Sequence, residues 1–272
     1  MTVINTNVSA LRAQNSSRVA NQMQSQAMER LSSGKRINSA KDDAAGLAIA
    51  TRMEAASRGF TQAIRNANDG ISLAQTADSA AGSISDILVR MRDLSMQAST
   101  GTLSDPDRVL VQKEVAALIS QIGDVVGQTT FNGNKLLDGS VAAGFDIQTG
   151  INATEVVNIQ IANLGALPGV AGITVATQGG ATAALAVLDT AIDAVASERA
   201  NLGAQQNRLT SAVDNLTSRV TNLDESKSRI EDADFSVEST NLAAAGILAQ
   251  ASTAMLAQAN QSSQGVMNLL RG

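Results

Sequence analysis

Two close pairs of carboxylates are the side chains of this protein whose type and spacing could form a cation-binding site. Asp42 and Asp43 are adjacent, and Asp232 and Asp234 are separated by one residue. Such pairs can hold a hard cation such as Mg²⁺ or Ca²⁺. They can equally cap helices or form ion pairs, and four basic residues near them favour this second interpretation: Lys35, Arg36, Lys41 and Arg229. We therefore predict helix-end contacts and no metal site.

Histidine and cysteine are both missing from the 272 residues of the chain. Their absence excludes catalysis by imidazole or thiolate, disulfide bonds, and most zinc and copper sites. Because the sequence offers no other catalytic constellation, we predict a protein that is not an enzyme and needs no cofactor. The net charge of −5 argues against a nucleic-acid partner, since nucleic-acid-binding proteins usually present a basic surface.

The elements that would position these groups are predicted to be long helices. Hydrophobic residues make up 44% of the chain but aromatic residues only 1%, and there are only two prolines. Small apolar side chains allow helices to pack closely, and scarce prolines allow them to be long. Helical periodicity predicts a first helix ending near Gly34, a second reaching about Ser99, and a third from Pro106 to about Val126.

A different pattern occupies residues 128–178. Two turn dipeptides, Asn132-Gly133 and Asp138-Gly139, lie in its first part. Apolar and polar residues alternate along 145–149 and again along 157–161, which is typical of strands with one buried face. We therefore expect a small region of β-hairpins here.

A heptad pattern from Leu188 to Ile230 predicts a last long helix, packed antiparallel against the helix of residues 44–99. The expected fold is mainly α: a long antiparallel helical bundle or coiled coil with a small β-hairpin region at one end. Both termini should meet at the opposite end. We predict three parts, namely an N-terminal helix, a rod of long helices with the hairpins, and a C-terminal helix that pairs with the first: 1–43, 44–234 and 235–272.

The C-terminal stretch from Ser239 to Leu270 has no charged residue, although apolar and small residues recur in it at helical spacing. A solvated helix usually carries Lys and Glu, so this pattern indicates a helix surrounded by protein. Core packing in a monomeric bundle is one interpretation. The other is contact between copies of the chain through stripe residues at both ends, namely Ile4, Val8, Leu11, Leu31, Leu242, Ala249, Leu256, Ala259, Val266 and Leu270.

The same stretch is not expected to insert into a membrane. Gln250, Gln258 and Gln261 interrupt it too often for a span of about 20 apolar residues. The N-terminus shows no basic segment followed by an apolar run, so no cleaved signal peptide is predicted.

Several segments resemble those of one family, the bacterial flagellins. Leu31 to Ala50, with the sequence LSSGKRINSAKDDAAGLAIA, is similar to the family signature. The other similar segments follow in order along nearly the whole chain: 4–11, 68–77, 131–139, 202–209, 228–234 and 258–261. Such a series is unlike a chance match.

The resemblance implies a structural subunit that self-assembles into the helical flagellar filament for swimming, without the outer domains that many relatives carry. It implies secretion through the flagellar type III export apparatus and an export chaperone at the C-terminal helix. It also implies contacts with hook-associated and cap proteins, and filaments of this subunit alone or mixed with sister flagellins. The alternatives are a hook–filament junction (hook-associated) protein and a helical coiled-coil signalling or adaptor protein.

The resemblance also implies two kinds of exposed site. Arg90, Arg92 and Leu94 lie in the region of some flagellins that an innate immune receptor contacts. This chain has Asp93, Ser95 and Met96 where that region usually carries Glu and small apolar residues, which favours an ordinary role in packing. Some relatives carry O-linked sugars, for which the candidates here are Thr129, Thr130, Thr149, Thr174 and Thr177.

Overall fold

The computed structural model describes residues 6–141 and 143–269, and within them all side chains except those of Ser263 and residues 266–269. The described residues form five α-helices: α1 Val8–Ser33, α2 Ala44–Ser99, α3 Asp105–Gln128, α4 Gln178–Glu231 and α5 Phe235–Leu269. They also form four short strands: β1 Thr130–Phe131, β2 Asn134–Lys135, β3 Phe145–Gln148 and β4 Val156–Ile159. The predicted mainly α fold with a small β region is confirmed.

Local sequence signals set the helix ends. Asn7 precedes α1, and its side chain accepts a hydrogen bond from Ala10 N at 3.0 Å. α1 ends at Gly34, whose φ of 70° is a left-handed conformation that glycine adopts without strain. α3 begins after Ser104 with Pro106 in its first turn, where the missing N–H of proline costs nothing. The predicted ends near Gly34 and Ser99 are therefore confirmed.

The strands pair as two separate antiparallel hairpins. In the first, Asn132 and Gly133 connect β1 to β2 with φ of 48° and 82°, as expected for an Asn-Gly hairpin turn. In the second, Phe145 pairs with Ile159 and Gln148 with Val156. Beyond Ile159 the region contains two short 3₁₀ turns and no strand up to α4.

The segment of residues 160–177 is less regular than predicted because its buried side chains recur every third residue as far as Ile173. They are Ile161, Leu164, Leu167, Val170 and Ile173, and Val175 is also buried two residues further on. Strands bury every second residue, whereas a period of three suits 3₁₀ turns and extended loops. The 3₁₀ turns Leu164–Ala166 and Val170–Gly172 accordingly turn these side chains into the core.

The chain divides into two compact units. Unit 1 contains residues 1–55 and 222–272, and unit 2 contains residues 56–221. Helices α2 and α4 contribute to both. The predicted three-part functional division, with boundaries after residues 43 and 234, stays a prediction.

In unit 2 the long helices are antiparallel, as predicted. Arg92 pairs with Asp189 at 2.6 Å, and further along the helices Arg199 pairs with Asp78 at 2.8 Å. As the residue number rises on α4 it falls on α2, which defines the antiparallel direction. The core between them combines alanines with large apolar residues, among the latter Ile84, Leu88, Met91, Leu188 and Leu202.

The β3–β4 hairpin packs beside the N-terminal half of α2. A Cβ at Gly70 would come within 3.0–3.2 Å of Ile147, Ile159 and Leu209, so a larger residue would require these side chains to shift by a few tenths of an ångström. This hairpin lies along the helices of unit 2. The reason is length: α3 has 24 residues against 56 in α2, so it covers only part of the apolar face and the hairpin covers more.

In unit 1, α1 and α5 form an antiparallel pair. Asn7 Nδ2 donates to the carbonyl of Ala259 at 3.0 Å at one end, and Arg30 pairs with Glu238 at 2.8 Å at the other. The predicted pairing of the first and last helices is therefore present. Unit 1 also holds the ends of α2 and α4, where Lys227 pairs with Glu54 at 3.1 Å.

Candidate functional site

The α1 side of the α1–α5 pair buries only small residues. Its buried positions are Ala13, Ala20 and Ala27, spaced by seven. Between them, half-buried residues complete steps of three and four: Ala10, Ser17, Gln24 and Leu31. Alanine at the centre of a helix contact lets the two backbones approach closely, since interaxial distance depends on the side chains between them.

On α5, the stripe seen in the sequence is the face that packs against α1. Ala245 is fully buried, and Ser252 and Ala259 are buried with 7% and 9% exposure. Leu242, Ala249 and Leu256 are half-buried between them. These predicted assembly residues therefore contact the other helix of their own chain. Whether they also contact a second copy stays a prediction.

The predicted α1 residues lie elsewhere. Val8 and Leu11 are 45% and 56% exposed, so they do not belong to the seam with α5, whereas Leu31 is half-buried in it. The reason is that a heptad of alanines, not the stripe of larger residues, faces α5. Ile4, Leu270 and the side chain of Val266 lie outside the described residues.

Apart from Leu31, Leu242 and Leu256, which are half-buried in the seam, large apolar residues of both helices face outward. The exposed ones on α1 are Val8, Leu11, Val19, Met23 and Met28, and those on α5 are Phe235, Val237, Ile247, Leu248 and Met255. The sequence analysis missed the α5 members because its stripe followed the seam. Spacing by seven of alanines, at 13, 20 and 27, was the signal that could have identified the true α1 seam.

A buried ion pair closes the seam at one end. The Arg30 and Glu238 side chains are 24% and 8% exposed, and Asn241 Nδ2 also donates to Glu238 at 3.3 Å. A buried charge is costly unless it is paired, so this contact favours one register of α1 against α5. The other seam positions are mostly Ala, Ser and Leu, which discriminate little between registers.

The carboxylate pairs act at helix ends, as predicted. Asp43 accepts a hydrogen bond from Gly46 N at 2.8 Å at the start of α2, and Asp234 accepts one from Ser236 N at 2.8 Å at the start of α5. Asp42 accepts from Ser39 Oγ and N, both at 3.0 Å, and these hydrogen bonds lower the pKa of the Asp42 carboxyl below its ordinary value. Within the described residues, no group of three or more acidic side chains could hold a metal.

An ion pair and backbone hydrogen bonds join the two connecting segments of unit 1, the one after α1 and the one between α4 and α5. Lys35 lies 2.5 Å from Glu231, a residue with an 8% exposed side chain, and this contact raises the pKa of the Lys35 ammonium. Lys35 also bridges to Asp232 through the backbone. Arg36 Nη2 donates to the carbonyl of Ile230 at 2.6 Å. The segment after α1 is thereby fixed against the segment between α4 and α5. The sequence indicated charged residues here but not Glu231 as their common partner.

The residues expected to form the receptor patch make ion pairs and core contacts within unit 2. Arg90 pairs with Glu114 at 2.7 Å and Arg92 with Asp189 at 2.6 Å, which raises the pKa of the Arg92 guanidinium. Leu94 is 4% exposed and belongs to the core. Their packing role is therefore present in the structure, while receptor recognition stays a prediction.

The candidate threonines differ in accessibility. Thr130, Thr174 and Thr177 are exposed. Thr129 and Thr149 are half-buried, and their hydroxyls donate to the carbonyls of Val125 and Glu155 at 2.5 and 3.3 Å. If O-linked sugars are attached, the three exposed positions are the better acceptors, but the modification itself stays a prediction.

Comparison with known proteins assigns both halves of the chain. Residues 4–142 match the bacterial flagellin N-terminal helical region, and residues 185–270 match the bacterial flagellin C-terminal helical region. A flagellin of Listeria monocytogenes is 40% identical over 283 residues, covering 98% of this chain and 99% of that protein. A flagellin of Halalkalibacterium halodurans is 40% identical over 272 residues, covering 99% and 100%.

Solved structures agree with this assignment. The crystal structure of Bacillus cereus flagellin matches with a TM-score of 0.51 and 36% identity, over 59% of this chain and 93% of that one. A putative flagellar hook-associated protein from Vibrio parahaemolyticus matches with a TM-score of 0.60, over 70% of this chain and 100% of that one. At 14% identity the second match shows a shared fold alone. The chain belongs to the bacterial flagellin family, whose members are the structural subunits of the extracellular flagellar filament.

Proposed function

We propose that the α1–α5 pair is the part of this chain through which its copies polymerise into the filament. The supporting observation is the packing of the pair, in which the most buried seam positions are mostly alanines while several large valine, leucine and methionine side chains are exposed. Burying a side chain such as Leu or Met stabilises a protein by about 1.5–3 kcal/mol. Because Leu248 and Met255 are 49% and 63% exposed, a large part of that free energy remains available for contact with another copy.

The missing charge on α5 supports the same proposal. A second copy that packs on α5 meets no charged side chain from Ser239 to Leu270, so the contact carries no penalty for burying an unpaired charge. The amides and hydroxyls that replace Lys and Glu can form hydrogen bonds across the contact.

A membrane is the other environment that would suit an uncharged apolar helix. α4 and α5 each contain a stretch long and apolar enough to cross a membrane by length and composition alone. In α4 the apolar face is used in the core of unit 2, where Leu188, Val195 and Leu202 are fully buried. In α5 the side chains of Gln250 and Gln258 would be costly in lipid. We therefore propose protein contacts and no membrane insertion.

The family implies self-polymerisation and export through the flagellar system. As finer partners we propose an export chaperone on α5, hook-associated and cap proteins, and sister flagellins in mixed filaments. A chaperone on α5 is supported by its exposed apolar residues, which need a cover before assembly. We further propose that the chain has no catalytic activity and that segments 1–43 and 235–272 act as one assembly part, with 44–234 as the rod.

The proposal is tested with a double variant of the full chain, Leu248→Gln with Met255→Gln. Glutamine keeps the helix and similar size but removes the apolar surface. We expect loss of filaments in negative-stain electron microscopy of monomer incubated with filament seeds. Its circular dichroism should stay that of the wild type, which would show that the monomer still folds.

Ile151→Gln is the matched control, because Ile151 is a large apolar residue with 50% exposure in a loop of unit 2. It should form filaments like the wild type. Wild-type filaments from the double variant would exclude the α1–α5 surface as the driver of polymerisation. Loss of filaments in both variants would instead indicate that exposed apolar residues in general, and not the α1–α5 pair, drive it.

A further inference from the structure

The α1–α5 pair has two unlike sides, to the left and right of its seam. We propose that the apolar side of one copy packs into the grooved side of a second copy. The inference rests on the proposed assembly function and adds which surface of one subunit meets which surface of the next.

The apolar side follows from helical rotation away from the seam. On α1 it contains Val19 and Met23, and on α5 Val237, Leu248 and Met255, all of them exposed. The contacts Asn7–Ala259 and Arg30–Glu238 fix the antiparallel register, which brings Val19 level with Leu248. Large apolar side chains of both helices therefore lie on this side of the seam.

The grooved side lies across the seam. A groove of about 540 Å³ runs between the two helices here, lined by Ser17, Asn21, Ala249, Gln250, Thr253, Ala254 and Ala257. All of its lining side chains are small or uncharged. The groove is open to solvent, so its alanines present a low surface that a second chain can approach, and the amides and hydroxyls of Asn21, Gln250 and Thr253 supply hydrogen-bonding groups beside it.

The geometry of an open polymer indicates that the groove is occupied by a second copy of the chain. If the apolar sides of two copies faced each other about a twofold axis, the contact would close at a dimer. An open helical polymer needs a heterologous contact, in which two different surfaces of the same subunit meet. The chain offers such a pair: protruding uncharged Leu and Met side chains on one side, and a groove lined by small uncharged residues on the other.

The chain has no cysteine, so introduced cysteines report contacts without background. Met255→Cys marks the apolar side and Ala257→Cys marks the groove. The two full-length variants are polymerised separately and mixed with each other. The filaments are then treated with a short thiol crosslinker, because a direct disulfide requires Cα atoms within about 7 Å. A mixture of Met255→Cys with Ile151→Cys serves as control.

We expect a crosslinked dimer only in filaments that contain both Met255→Cys and Ala257→Cys. A dimer in filaments of Met255→Cys alone would show that apolar sides face each other and would overturn the proposal. So would filaments of the mixture that give no more dimer than the Ile151→Cys control. Failure of the wild-type chain to polymerise would remove the proposed function and this inference together.

A bulkier pair of variants keeps the proposal testable if a cysteine variant does not polymerise. Ala257→Trp fills the groove but leaves the apolar side intact, and Leu248→Gln with Met255→Gln does the reverse. Each variant monomer retains either the apolar side or the grooved side intact. A small amount of either variant, added to wild-type monomer, should therefore cap growing filaments and shorten them. A chain with both sets of changes should not. Wild-type filament lengths with both one-sided variants would overturn the proposal.

Discussion

The two units of the molecule use hydrophobic residues in opposite ways. Unit 2 buries Ile84, Leu88 and Met91 completely. Unit 1 buries Ala13, Ala20 and Ala27 between its terminal helices and leaves large apolar residues outside. Unit 2 therefore obtains its hydrophobic stabilisation within one chain, whereas unit 1 leaves several of its large apolar side chains exposed. A subunit that must travel alone and then polymerise benefits from this division.

The largest expected effect is in the core of unit 2. Leu88→Ala removes a fully buried side chain, and such changes cost about 2–5 kcal/mol because a cavity remains. The free energy of unfolding, measured with urea, should fall by that amount. Val89→Ala is the neighbouring control at 45% exposure and should change it by much less. Equal losses in the two variants would contradict the self-sufficient core assigned to unit 2.

A smaller effect is expected from the buried ion pair of unit 1. Arg30→Met leaves Glu238 buried with Asn241 as its remaining side-chain partner, and losing a hydrogen bond to a charged group costs about 1.5–3 kcal/mol. Less helix should be retained in the terminal segments, as measured by hydrogen exchange of their amides. Arg18→Met removes an exposed hydrogen bond to Asn15 and is the control. Unchanged exchange in Arg30→Met would show that the pair does not hold the two helices together.

Larger residues in the seam test whether unit 1 needs small side chains between α1 and α5. Ala249→Leu and Ala259→Leu place bulk between α1 and α5, and overpacking costs about 1–3 kcal/mol. We expect altered filament shape or no filaments in electron microscopy. Ala243→Leu is an exposed control on the same helix. Wild-type filaments from both seam variants would mean that close approach of the two helices is not needed.

The smallest effect concerns one carboxyl in each unit. Hydrogen bonds from Ser39 and Ser140 lower the pKa of Asp42 and Asp138 below the ordinary value of 3.8. Both carboxylates therefore stabilise their turns above that pH, and this contribution is lost as the pH falls through the lowered pKa. NMR titration of the carboxyl groups should show the pKa of Asp42 rising toward 3.8 in Ser39→Ala. The pKa of Asp138 should likewise rise toward 3.8 in Ser140→Ala. Unchanged pKa values would show that other groups cause the shifts.

Much of the fold could be predicted because its signals are local. Gly34 ends α1, and Ser104 with Pro106 begins α3, since these residues act through their own backbone geometry. The β3–β4 hairpin was visible as alternation. The segment from Ile161 to Ile173 was not, because its period of three is shared by several loop conformations and only packing against the core selects one.

The predicted assembly residues lie on different faces of α1 and α5, and their contact with a second copy stays a prediction on both helices. On α5 the spacing of Leu242, Ala245 and Ala249 identified the buried face, since the other faces carry a different mixture of residues. On α1 the larger residues Val8 and Leu11 suggested a buried stripe, although they are exposed. Hydrophobicity alone favours burying the larger side chains, and it does not indicate when a partner outside the chain will cover them.

The sequence by itself determined the long helices, their caps, the first hairpins and the family. Each of these depends on interactions between residues close along the chain or on segments that can be recognised in order. Tertiary structure decided which face of α1 meets α5, that Glu231 joins the connectors through Lys35, and where the β3–β4 hairpin lies. These depend on contacts between residues far apart in sequence, and the closest packing there is achieved by alanine and glycine, which leave little hydrophobic pattern to detect.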